Sequence, residues 1–162
     1  MLTIRPATLE DLEVITEIYN DAILNMVATF DTEPKTLEGQ KTWFANHVPA
    51  YPVLVSEQGR VVVGWASLSK WSEKLAYSAT VEGSLYVKEG YRRQGIGKKL
   101  LEAIGQEGKK AGFHTVVARI AEGGEASIHL CESLGFERIG VMKEVGRKFD
   151  KFLDVYLLQK IL

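Results

Sequence analysis

The chain has 162 residues, of which 46 % are apolar and 25 % charged, with a formal net charge of −1. That size and balance fit one folded domain spanning 1–162 and exclude a disordered or fibrous chain. Lys and Arg are interspersed with Asp and Glu, so no basic field favours nucleic acid, and the single cysteine, Cys131, excludes an internal disulfide or a thiolate zinc cluster.

The N-terminal run is acidic where a leader would be basic, and no window reaches roughly 18 consecutive apolar residues. A cytoplasmic protein without a membrane partner is expected. Leu2 to Arg5 predicts a strand closed by Pro6. Thr8 and Asp11 form a variant capping box, and Leu12, Ile15, Tyr19, Ala22 and Ile23 recur at helical spacing. Thr36 caps a second helix carrying Trp43 and Phe44. A hairpin follows, Val53 to Ser56 and Val61 to Ser69 around Gln58-Gly59-Arg60.

Next comes a strand over Ala76 to Val87, in which Val81, Leu85 and Val87 alternate with Glu82, Ser84 and Tyr86. From Ile96 to Ala111 the residues Leu100, Leu101, Ile104 and Ala111 mark one apolar stripe, ended by Gly112. Phe113 to Ile120 predicts a strand, Glu125 to Leu134 a helix stopped by Gly135, and Arg138 to Val141 and Phe152 to Leu158 two last strands. Strands first, then helices among strands, predict an α/β fold with a mixed sheet covered by helices.

The turn Gly90-Tyr91-Arg92-Arg93-Gln94-Gly95-Ile96-Gly97 joins a strand to a helix. It lacks the lysine of a P-loop, and Leu100 stands where a dinucleotide fingerprint needs its third glycine. What remains is a row of free N–H groups at a positive helix end, flanked by Arg92, Arg93, Lys98 and Lys99, with no side chain at 95 or 97. Such a turn holds an anion, or is simply a tight turn with a solvated basic face.

The pairing of Arg92-Arg93-Gln94-Gly95-Ile96-Gly97 with the later Leu134-Gly135-Phe136 resembles the GNAT N-acetyltransferases over essentially the whole chain. Ala28 to Pro34, Thr80 to Val87, and Glu144 to Phe149 with Leu153-Asp154-Val155 are similar to the phosphinothricin and methionine sulfoximine N-acetyltransferases. The resemblance implies a mostly antiparallel sheet of about six to seven strands with acetyl-CoA at its splayed centre. It implies that Leu85, Tyr86 and Val87 pair with the pantetheine arm, and that N–H groups of Arg93, Gln94, Gly95, Ile96, Gly97 and Lys98 hold the pyrophosphate. Ser127 corresponds to a cofactor-side serine, and Gly124 stands where many relatives have asparagine. Relatives are homodimers that acetylate a small amino acid, so the same is expected, through direct attack on the thioester and without a metal. Glu82 is expected as general base, working through a water. Phe30, Lys74, Tyr77, Thr80 and Glu82 match the acceptor pocket. Cys131 and Trp71 read as packing residues, His47 as a surface one, and no histidine pair has metal-ligand spacing. Alternatives are the same transfer to a polyamine, an aminoglycoside or a protein N-terminus, and a non-catalytic CoA-binding sensor.

Overall fold

The computed structural model describes residues 1–162. The strands are β1 (Leu2–Pro6), β2 (Val53–Gln58), β3 (Val61–Lys70), β4 (Thr80–Val87), β5 (Thr115–Ala121), β6 (Glu137–Lys148) and β7 (Lys151–Ile161). The helices are α1 (Leu12–Asn25), α2 (Leu37–Ala45), α3 (Ile96–Lys110) and α4 (Glu125–Ser133). One seven-stranded sheet runs in the order β1-β2-β3-β4-β5-β7-β6. Only the β4–β5 pair is parallel.

Helices cover both faces, which is why β3 reads as a continuous buried run from Val62 to Leu68. On one face α3 and α4 press Leu100, Ile104, Ile128 and Cys131 onto Val63, Leu68, Val81, Val116 and Leu158. On the other, Leu12, Ile15, Ile18 and Phe44 of α1 and α2 meet Val53, Val55 and Trp65. The entry to α1 is fixed by Asp11, which is 6 % exposed. Its carboxylate accepts the Thr8 N–H at 2.8 Å and a bidentate pair from Arg5 at 2.8 and 2.9 Å. Both hairpins close on two left-handed residues, Gly59-Arg60 (φ 57 and 71°) and Phe149-Asp150 (φ 54 and 58°), the geometry whose twist matches antiparallel strands.

Four expectations change. The strand expected from Ala76 begins at Thr80, because Leu75–Tyr77 is a 3-10 turn. Ala111 is exposed, and the buried stripe of α3 continues instead through Gly108, where a Cβ would lie 2.7 Å from Leu68 Cδ1. The first strand runs on into Pro6. The short strand expected at Arg138 to Val141 is the start of a strand reaching Lys148. It is an exposed edge strand with register breaks after Arg138 and Met142, so no apolar alternation advertises its length.

The sheet is joined at its centre by few contacts. β4 pairs with β5 only from Thr80 to Glu82, against Thr115 to Val117, while β3 follows β4 as far as Val87 and β7 follows β5 as far as Ala121. Beyond Glu82 the two strands part.

Candidate active site

The direction of the free backbone groups in that gap follows from the ladder. Antiparallel pairing alternates, and the Lys88 N–H donates to the Val63 carbonyl at 2.8 Å. In this register Glu82, Ser84 and Tyr86 turn their backbone groups to β3, and Gly83, Leu85 and Val87 turn theirs to the gap. An extended chain lying there finds strand edge at Leu85 and at Val87, of which only the Val87 carbonyl is already engaged. Tyr86, expected with them, has its backbone groups engaged by Trp65. The Val87 carbonyl accepts from Arg92 Nε at 3.0 Å.

The gap ends at the N-terminus of α3. Gly90, Arg93 and Gly95 have φ of 90, 64 and 80°, so the turn alternates in hand and gathers its N–H groups on one side. The first helical bond runs from the Lys99 N–H to the Gly95 carbonyl at 3.2 Å. The N–H groups of Ile96, Gly97 and Lys98 therefore have no partner within the helix. That combination suits an anion.

The two glycines have different reasons. Gly95 is left-handed, and a Cβ there would meet nothing within 4 Å. A Cβ on Gly97 would lie 3.3 Å from Leu130 Cδ2 and 3.6 Å from Leu85 Cδ2, so Gly97 lets α3 approach β4 and α4. Ile96 is 2 % exposed and its side chain belongs to the core, leaving only its backbone to the turn. Arg92 points back to α1, 3.6 Å from Asp21. Gln94 reaches the Gly90 carbonyl at 3.5 Å, and Arg93 and Lys98 are exposed.

Where β4 and β5 separate stands Glu82, its side chain 20 % exposed. Both of its oxygens accept from Arg119 on β5, Nε to Oε2 and Nη2 to Oε1, each at 2.6 Å. The carboxylate holds the Arg119 guanidinium above its ordinary value, and burial opposes this. Arg119 also lies 5.7 Å from the centre of the Trp71 ring, a cation–π contact that makes Trp71 part of the site wall and not core. Arg119 was not expected. Its signal was a lone charge within the apolar strand Val116 to Ala121, in step with Glu82 across a parallel pair.

On the same face of β4, Ser84 and Tyr86 border a cavity of about 160 Å³ with Ser67, Ser69, Trp65, Gln40 and Asp31. Asp31 accepts from the Tyr19 hydroxyl, which also meets Thr29 Oγ1 at 2.9 Å. Burial pushes the Tyr86 hydroxyl up to about 12 and carries that of Tyr19 higher still. His47 is half-buried against this wall, not on the surface. Its Nδ1–H donates to the Trp43 carbonyl and its Nε2 accepts from the Ser69 hydroxyl, both at 2.8 Å. Burial lowers its pKa.

Of the other residues expected at an acceptor pocket, Thr80 shares the Glu82 face of β4. Phe30 lies on Gly146 of β6. Lys74 and Tyr77 are exposed on the turn before β4 and make no hydrogen bond or ion pair with Glu82. Gly124 caps α4, and a Cβ on it would stand 2.6 Å from Ile120 Cγ2, which accounts for glycine at this position. Ser127 is exposed in the first turn of α4. Cys131 is 7 % exposed, and burial pushes its thiol up to about 11, so it packs as an inert small residue. No three His, Cys, Asp or Glu side chains converge as metal ligands would.

A model of the acetyltransferase (GNAT) family matches residues 15–136. The chain belongs to the GNAT family of acetyltransferases. A methionine sulfoximine/methionine sulfone acetyltransferase from Salmonella typhimurium is 39 % identical over 98 % of this GNAT chain and 93 % of that protein. Among solved structures, a GNAT phosphinothricin acetyltransferase from Sinorhizobium meliloti, in complex with acetyl-CoA, superposes with a TM-score of 0.96 at 36 % identity, covering 99 % of this chain and 88 % of the other. A ribosomal-protein-alanine N-acetyltransferase from Brucella melitensis superposes equally, with a TM-score of 0.96 at 38 % identity, covering 99 % of each chain. The gap between β4 and β5 is thus part of a shared GNAT fold.

Proposed function

We propose that residues 1–162 act as one N-acetyltransferase domain that moves the acetyl group of acetyl-CoA to the free α-amino group of a small amino acid of the methionine sulfoximine, methionine sulfone or phosphinothricin type. The observation that carries this reading is the juxtaposition at the gap: free edge groups at Leu85 and Val87, the unpartnered N–H row of α3, and the Glu82–Arg119 pair where the strands part. The edge suits an amide-bearing arm and the helix end suits a pyrophosphate. Arg92 gives up the Val87 carbonyl when the arm binds.

Acetyl-CoA supplies the thioester that the amine attacks. The chain's own groups align the partners and move the proton. Glu82 keeps lone pairs beyond those Arg119 uses, and it takes the ammonium proton through one water; as the new C–N bond forms and the C–S bond breaks, the second proton shed by the nitrogen would leave with the CoA thiolate as free thiol. Arg119 holds the carboxylate aimed while this happens. Backbone N–H groups along the edge of β4 would be available to a thioester carbonyl and would stabilise negative charge developing there. Phe30, Lys74, Tyr77 and Thr80 enclose the acceptor. Lys74 serves its oxygen-bearing end as a point charge.

The protein works as a cytoplasmic homodimer. Support comes from β6, an edge strand that exposes Ile139, Val141 and Val145 by 51, 44 and 54 %. No helix is long and apolar enough to cross a membrane. Sedimentation at micromolar concentration tests the dimer, and a monomer would refute it.

Thiol release from acetyl-CoA across a panel of amino-acid analogues, polyamines, aminoglycosides and an alanine-initiated peptide tests the function. Turnover is expected with the sulfoximine and sulfone. Turnover of the peptide alone would transfer the reading to a protein N-terminus, and silence with intact CoA binding would make the protein a sensor.

A further inference from the structure

We propose that Gly146 and Lys148 of β6 are positioning residues for the amine site, forming the seat on which the segment Ala28 to Pro34 rests. The inference builds on the reading above, in which that segment encloses the acceptor.

Lys148 is a cation at 5 % exposure with no carboxylate bound to it. Its Nζ donates to the carbonyls of Met26 at 2.5 Å, Thr29 at 2.7 Å and Ala22 at 3.4 Å. Ala22 lies in the last turn of α1 and Met26 is its cap. Both carbonyls lie at the negative end of the helix, Met26 beyond its last bond and Ala22 already accepting the Met26 N–H at 3.0 Å, and no basic residue of α1 itself occupies the last turn. An ammonium from the far side of the chain therefore fixes the direction in which the backbone leaves α1. Binding Thr29 as well extends this control into the segment itself.

Gly146 holds the next residue. A Cβ there would fall on Phe30 Cε2 and stand 2.6 Å from both Cδ2 and Cζ, so the ring lies directly on the Gly146 backbone. The glycine is required for space. Its partner position across the ladder is Leu153, and Lys148 faces Lys151. That register is set on one side by the turn at Phe149-Asp150, and on the other by the break after Met142, where Asp154 Oδ1 accepts the Glu144 N–H at 2.7 Å.

From the seat, the segment reaches the cavity. Thr29 Oγ1 accepts the Asp31 N–H at 3.1 Å, and Tyr86 on β4 donates to the Ala28 carbonyl at 3.4 Å. A shift at Lys148 or Gly146 thus acts first on Phe30, Asp31 and the hydroxyls around them, whereas Leu85, Val87 and the start of α3 make no hydrogen bond to either residue and are reached only through the Arg92 side chain, 3.4 Å from Met26 Sδ. The stretches Ala28 to Pro34 and Glu144 to Phe149, far apart in sequence, are one mechanical unit.

The test uses Lys148→Met and Gly146→Ala in the full chain. Amide hydrogen exchange is followed without substrates, and KM is measured for acetyl-CoA and for whichever amine the parent acetylates. Exchange over residues 26–35 should quicken by about tenfold while core strands stay as in the parent, and amine KM should rise about tenfold with acetyl-CoA KM within about twofold. Unchanged exchange over 26–35 in a folded variant would overturn the seat. Faster exchange with unchanged amine KM would overturn the positioning role. If Lys148→Met does not fold, Gly146→Ala alone decides. If the parent acetylates no amine, the acetyl-transfer reading falls on the parent's own assay, and exchange still judges the seat.

Discussion

Replacing Gly124 by asparagine, the residue many relatives of this sequence pattern carry, should destabilise this chain. The new Cβ would stand 2.6 Å from Ile120 Cγ2 and 3.0 Å from the Ala121 carbonyl oxygen, where carbon atoms settle at about 3.5–4.0 Å. Cγ2 is a branch on Cβ, and a β-branched side chain in a strand has little χ1 freedom with which to withdraw it. The backbone of α4 must shift instead, at a cost of about 1–3 kcal/mol. At this chain length each kcal/mol lowers Tm by roughly 2–4 °C. Ile120→Leu moves the branch one carbon outward and conserves volume, so alone it should cost less than about 1.5 kcal/mol. In that background the asparagine should cost less, with only the 3.0 Å approach to the Ala121 carbonyl left, giving a coupling of about 1 kcal/mol in a cycle of thermal and urea melts over the four proteins. Gly124→Asn melting with the parent, or strictly additive costs, would refute the steric account.

Glu82→Gln keeps the Arg119 contact on one oxygen but removes the proton acceptor, so kcat should fall by about 10²–10⁴ with acetyl-CoA affinity unchanged, and a parental kcat/KM would exclude the base role. Arg119→Met should lower kcat less, since it frees the carboxylate without removing it; steady-state kinetics of the two side by side separate aiming from chemistry. Phe149→Asn with Asp150→Gly should raise Tm, because a non-glycine residue in the left-handed region costs about 1–2 kcal/mol and Phe149 is 57 % exposed; a lower Tm would show that the aromatic ring matters more than the turn. His47 binds its proton less readily when folded, so the unfolded chain holds more protons and stability should fall as pH drops below about 6.5; urea melts of His47→Gln should flatten that dependence, and an unchanged slope would refute it.

Elements with a periodic apolar signal are legible in the sequence. The helix from Leu12, the hairpin around Gly59 and the strand-turn-helix at Gly90 to Ile104 need only spacing and capping to be placed. β6 is not legible beyond its first residues, because an edge strand with two register breaks buries almost nothing. At the site, Glu82 is legible from alternation and resemblance, whereas Arg119, Lys148 and the inward reason for Gly97 are not. Each depends on a neighbour remote in sequence: a parallel strand for Arg119, the end of α1 for Lys148, and Leu130 of α4 for Gly97.

The three register pairs between Thr80–Glu82 and Thr115–Val117 are the one seam of strand pairing between a β1-β2-β3-β4 wing and a β5-β7-β6 wing, which otherwise share the core under α3 and α4. Any extended ligand seated in the gap lengthens that seam, so occupancy lends the molecule stiffness across its waist. The strand ends beyond Glu82 and Val117 should then exchange their amides faster when free than when a ligand spans them, while the core that α3 and α4 press across both wings stays protected in either state.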